Sequence, residues 1–157
     1  MRLFLTLIFC FCLTSNLLQA NTEKINNWNA QFPKATDYYN AEKYEKALDI
    51  FLSLEKDLDV LKIKNKDRFN LYVWITGCYR FSANVNSPKY IETIENRILY
   101  LTKAYNSLKK TDISTKILND NESNILQQLA VKHGGLFGLS YKIENIELAE
   151  KYALKTL

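Results

Sequence analysis

The sequence predicts an all-α fold, and three observations carry that expectation. Only four Gly and two Pro occur in 157 residues; these are the residues that interrupt helices, so long helices are allowed almost throughout. Apolar side chains recur at i, i+3, i+4, i+7 and i+8, the spacing of a helix with one buried face. Ten Tyr and eight Phe supply bulky side chains for packing helix against helix. The length suffices for one domain with a real core, and a 47% hydrophobic, 24% charged composition is that of a folded globular chain rather than a disordered one.

In chain order, residues 1–20, MRLFLTLIFCFCLTSNLLQA, read as a secretory signal peptide. Arg2 is the positive n-region, Leu3 to Leu13 the apolar run, and Ala20 the small residue at the cleavage point. The run is shorter than the roughly 20 residues that span a bilayer, and Thr14, Ser15 and Asn16 close it. An uncleaved membrane anchor is the second reading of the same segment. Bulky Ile8, Phe9 and Phe11 argue against lipid attachment at Cys10 or Cys12. The expected localisation is export, periplasmic or secreted, with no stable membrane insertion once the signal is cleaved.

Cleavage removes one basic residue from a formal +4, and it leaves Cys78 as the only thiol. No intrachain disulfide can then form in an oxidising compartment, so helix packing must supply the stability. Cys78 lies in LYVWITGCYRF and reads as a buried small hydrophobe. The densest basic run, KIKNKDR at 62–68, reads as a solvated inter-helix loop, because polyanion binding needs several phosphate contacts along one surface. No nucleic-acid partner is expected. With one His and one mature Cys, and with DIST and NDNES lacking the periodicity of a calcium loop, no metal or cofactor is expected either.

After a polar lead-in at 21–27, a first helix runs through FPKATDYYN at 32–40, where Pro33 is acceptable only near the first turn or at a kink. NAE at 40–42 is a tight turn that makes the second helix antiparallel. That helix buries Tyr44, Ala47, Leu48, Phe51, Leu52 and Leu58 and keeps Glu42, Lys43, Glu45 and Lys46 wet. A third helix over 67–82 is apolar on most sides and should be central. Ser87-Pro88 opens a fourth over 88–109, a capping hydroxyl followed by a first-turn proline. Its stripe is Ile91, Ile94, Ile98, Leu101, Ala104 and Tyr105. The longest polar connection, 109–121, leads to a fifth helix over 122–142. KIEN then turns the chain, and IELAEKYALKTL begins a sixth helix. Repeat arrays end in a polar capping helix, and this end is apolar, so the chain continues in its natural form, or a partner covers the end, or it is a short terminus.

The stretch ATDYYNAEKYEKALDIFLSLEKDL, 35–58, resembles a tetratricopeptide repeat. Ala35 and Tyr38 on the first helix, and Ala47 and Phe51 on the second, fall at that family's spacing, with Tyr44 as the aromatic entering the second helix. The third pair matches through Gly138, Tyr141, Ala149 and Ala153. In the middle pair Thr76 and Tyr79 stand in, but Arg97 occupies the slot of the second helix's small residue. The unit spacings of 50 and 52 residues exceed the roughly 34 of a standard repeat, and Asp59 replaces the closing proline. The resemblance implies a right-handed stack of about three antiparallel helix hairpins over 28–157, an α-solenoid. A helical bundle with chance matches is the alternative.

Such stacks are similar in using a concave surface lined by the first helix of each pair. On that analogy Tyr38 packs inward while Tyr39, Asn40, Arg80 and Lys142 project into a partner groove, where they hold a peptide backbone or carboxylate. The expectation is therefore a non-catalytic protein- or peptide-binding module, exported, as part of a sensor or larger assembly. The rival is a free-standing secreted effector or toxin-like factor with a bundle fold. An enzyme is not expected. VKHGGLFG at 131–138 is similar to a lipase oxyanion loop, yet there is no G-x-S-x-G and a single His. Gly134 and Gly138 read instead as a close-approach face, and nothing in the spacing pairs Cys78 with His133.

Overall fold

The computed structural model describes residues 2–84, 86–111, 121, 124–125, 127–129, 131–132 and 143–155, with side chains from Gln19 onward except at 143–146 and 150. The protein is helical, and no strand occurs among the described residues. Its elements are α1 (Arg2–Asn40), α2 (Tyr44–Glu55), α3 (Asn65–Phe81), α4 (Tyr90–Leu108) and α5 (Ile143–Leu154). The described residues between 121 and 132 are also helical, within the predicted fifth helix, and α5 covers the start of the expected sixth but begins inside the KIEN stretch that was expected to turn. Helix α1 packs on α2, α2 on α3 and α3 on α4.

Ala35 and Ala47 are both 0% exposed, so the two rods of the first pair approach through side chains of one carbon. Phe51 fills the space beside them and is likewise fully buried. Phe32 meets it edge-on at 5.6 Å between ring centres, and Trp28 stacks on Phe32 at 5.2 Å. The Trp28 indole N–H also donates to the Leu54 carbonyl at 3.3 Å, which satisfies its only polar atom in a buried site.

Those contacts extend the first helix well beyond the sequence reading. The lead-in at 21–27 is helical and exposed, because nothing from 2 to 32 interrupts a helix and Trp28 anchors the stretch to α2. Pro33 is thus an interior residue of α1, whereas the sequence reading placed it near a first turn or at a kink. It removes one helix hydrogen bond, to the Asn29 carbonyl. Both residues are exposed, so water can take the place of the lost donor. Among the described residues no helix is long and apolar enough to cross a membrane.

Two turns close in the same way. After α1, Lys43 N–H donates to Tyr38 O and Glu42 N–H to Tyr39 O, both at 2.9 Å. After the turns that follow α2, Ile63 N–H donates to Leu58 O at 3.0 Å and Lys62 N–H to Asp59 O at 3.2 Å. This is the Schellman pattern, which needs a left-handed residue at C′. Glu42 (φ 59°) and Lys62 (φ 52°) occupy it, where glycine would be unstrained. Arg68 reinforces the second turn, donating to Ile63 O and Leu58 O at 2.7 Å and to Asp59 Oδ1 at 2.6 Å.

The stripe of α4 differs from the predicted one. Ile94, Leu101 and Ala104 are buried as expected, but Arg97, Tyr100, Ser107 and Leu108 join them. Ile91 is 40% exposed. Apolar spacing alone cannot see that an aromatic and an arginine on the adjoining face turn the helix toward α3. The helix also starts later than Pro88: Ser87 Oγ accepts from Lys89 N–H at 3.2 Å in a turn that precedes Tyr90.

Candidate functional site

Helix α3 is central, as its composition predicted, yet it is not enclosed. Leu71, Ile75 and Cys78 are fully buried, whereas Val73 is 42% and Phe81 52% exposed. The exposed side of α3 forms the floor of a cavity of about 350 Å3. Tyr39 of α1 stands on one side of it, Asn121, Asn124, Ile125 and Gln128 on another, with Leu101 of α4 below. The lining of α3 runs from Phe69 through Val73, Trp74 and Gly77 to Arg80 and Phe81.

An aromatic cluster shapes the α1 wall. Tyr39 meets Tyr44, Trp74 and Phe81 edge-on, at 5.2, 4.8 and 6.0 Å between ring centres, and Tyr44 stacks on Phe81 at 5.2 Å. Gly77 permits this arrangement. A Cβ there would lie 2.7 Å from the Tyr39 phenolic oxygen and 3.0 Å from its ring edge, inside van der Waals contact. Burial, then the neighbouring Cys78 and Tyr44, push the Tyr39 hydroxyl above its usual pKa, so it stays a neutral donor.

Of the sequence-predicted site residues, Tyr39 and Arg80 line this one cavity. Tyr39 is half-buried within the ring cluster, and Tyr38 is half-buried against the core. Asn40 is exposed at the end of α1 and is not among the cavity's lining residues. Lys142 lies outside the described residues, as do His133, Gly134, Gly138 and Tyr141. Arg80 is exposed, with its guanidinium 5.3 Å from the Phe81 ring centre, and it also borders a second cavity, of about 230 Å3, toward α4. Sequence reasoning missed Trp74, Phe81 and Gly77 as wall-formers. The one signal available was a glycine inside an otherwise apolar helix, which marks a close approach.

The side of α3 that faces α2 and α4 is organised differently. Glu55 of α2 accepts a hydrogen bond from Tyr100 at 2.7 Å and a charge-assisted one from Lys103. The Lys103 ammonium also lies 4.6 Å from the Tyr100 ring centre, and Tyr79 stacks on Tyr100 at 5.9 Å. Burial, with Glu55 adding to it, raises the pKa of Tyr72 and Tyr100. Every charge here has its opposite. This cluster ties the first helix pair to the second.

Cys78 is sealed in the core, and burial pushes its thiol up to about 12, so it is a protonated, apolar-like group at neutral pH. Among the described residues no three His, Cys, Asp or Glu side chains gather as a metal site would require. Compared with known proteins, the chain matches no family model, no curated protein and no solved structure.

Proposed function

We propose that the protein is an exported, tetratricopeptide-like, non-catalytic module that binds a protein or peptide along the open side of α3. The observation that carries this reading is the composition of the 350 Å3 cavity: α1, α3 and the helical residues Asn121, Asn124, Ile125 and Gln128 contribute to it together. In the repeat reading these are the first helices of successive pairs. A bundle would instead cover both long faces of α3, and Val73 and Phe81 are exposed. Aromatic walls with Asn121, Asn124 and Gln128 at the rim suit an extended peptide, whose apolar side chains would enter between rings while amides meet its backbone. Residues 1–20 deliver the module to the exported compartment in this reading, as part of a sensor or larger assembly.

Trp74 makes the reading testable, since Trp28 is the chain's only other tryptophan. In a Trp28→Phe chain, peptides selected by display against the whole protein should shift or quench Trp74 emission on binding. Val73→Arg, at an exposed floor position that spares the core, should weaken those peptides by on the order of tenfold or more. Unchanged affinity in that variant would remove this cavity from consideration.

A further inference from the structure

The cavity of about 230 Å3 beside α4 is lined by Arg80, Arg97, Gln127, Gln128, Val131 and Lys132. Three cations and, among the described residues, no acid line it. Arg97 is only 6% exposed, and its Nε is buried with no hydrogen-bond partner among the described residues. A buried guanidinium nitrogen without a partner is costly, because the donor loses water and gains no acceptor in return. The sequence makes the position more pointed, since Arg97 stands where a repeat hairpin carries a small apolar residue. Burial and the nearby Arg80 push the Arg97 guanidinium below its usual pKa, and burial with the two arginines does the same to Lys132. The three charges repel one another across the same space. A group that brings negative charge and acceptor oxygens would relieve all of these costs at once.

We propose that Arg80, Arg97 and Lys132 form a binding pocket for a phosphate-class oxyanion, either free or carried on a small phosphomonoester. Three positive charges call for a multiply charged ligand more than for a single carboxylate, and a guanidinium offers Nε and Nη as parallel donors to two oxygens of one group. The Gln127 and Gln128 amides are placed to donate to the remaining oxygens. Gln128 already gives one N–H to Asn124 Oδ1 at 2.6 Å, which orients it and leaves a second N–H. The pocket shares Arg80 and Gln128 with the larger cavity, whereas Arg97 and Lys132 line this one and not the larger, so their variants test it apart from the peptide reading.

The test is titration calorimetry of the full chain with inorganic phosphate and with phenyl phosphate, against chloride and acetate at matched ionic strength to cancel screening. At least one phosphate ligand should bind on the order of tenfold tighter than acetate. Arg97→Gln and Lys132→Gln should each weaken it by about tenfold or more. Binding of inorganic phosphate at least as tight as that of the ester marks a free anion as the ligand. Binding of the ester alone marks a carried phosphoryl group. Lys132 is half-buried and at a helical position, so its variant keeps the test intact should Arg97→Gln fail to fold. No preference for either phosphate ligand over acetate, or undiminished affinity in the variants, overturns the proposal.

Discussion

Two sides of α3 use the same materials, aromatic rings and long cations, to opposite ends. Toward α2 and α4, Glu55 takes hydrogen bonds from Tyr100 and Lys103, and the ammonium also lies over a ring. Toward the open side rings pack on rings, and where that side borders α4, Arg80, Arg97 and Lys132 have no carboxylate opposite them among the described residues. A polar cluster that is complete rigidifies the structure; one that is incomplete costs stability until something completes it. The difference separates the part of the molecule that holds the fold from the part proposed to bind.

The largest expected effect breaks the complete side. Glu55→Ala removes the shared acceptor and leaves Lys103 and the Tyr100 hydroxyl unpaired in a mostly buried setting. We expect a loss of about 2 kcal/mol, read as a lower denaturation midpoint. Next, Arg97→Met on the incomplete side should have the reverse sign. Replacing a buried charge whose Nε has no partner among the described residues with an apolar side chain of similar length should stabilise the free protein by about 1–2 kcal/mol. Equal signs for the two substitutions would mean that the two sides do not differ as described.

Alkaline pH probes the complete side again. The pKa values of Tyr72, Tyr79 and Tyr100 are raised in the folded chain, chiefly by burial, and Cys78 is pushed up to about 12. The unfolded chain therefore releases these protons at lower pH than the folded one. Their contribution is complete below the unfolded values, near 8.5 for the thiol and 10 for the phenols, and is lost as pH rises through the folded ones. Stability should fall from about pH 9 upward, and Cys78→Ala should blunt the earliest part of the fall in a pH series of urea melts.

Smaller effects come from the turns and from Gly77. Glu42→Gly and Lys62→Gly place glycine at left-handed C′ positions and should each stabilise by roughly 0.5–1 kcal/mol. Gly77→Ala gains about 1 kcal/mol of helix propensity but drives a methyl group into Tyr39. The two roughly cancel in stability, while the displaced ring should change Trp74 emission in the Trp28→Phe chain.

The helices were legible because burial imposes a period on apolar residues. That period placed Ala47 and Phe51, both fully buried, and the central position of α3. It failed where polar residues are buried: Arg97 and Tyr100 turn α4 away from the Ile91–Ile98 stripe. The Schellman geometry is not legible in the sequence, because Glu42 in the expected tight turn and Lys62 in the expected loop carry no glycine signature. The open side of α3 depends on contacts between residues far apart, such as Tyr39 with Trp74, which no local pattern encodes. Arg97 leaves one trace in the sequence, a charge in a slot where the repeat resemblance calls for a small residue.

Site-specific photocrosslinking tests the open side most directly. A photoreactive phenylalanine analogue is placed at Val73 on that side or at Leu99 on α4, both exposed, and the cells that produce the protein are irradiated. A discrete peptide or protein adduct from position 73, and none from 99, is the expected result. Equal labelling from both positions, or adducts from 99 alone, would contradict the assignment of binding to that face.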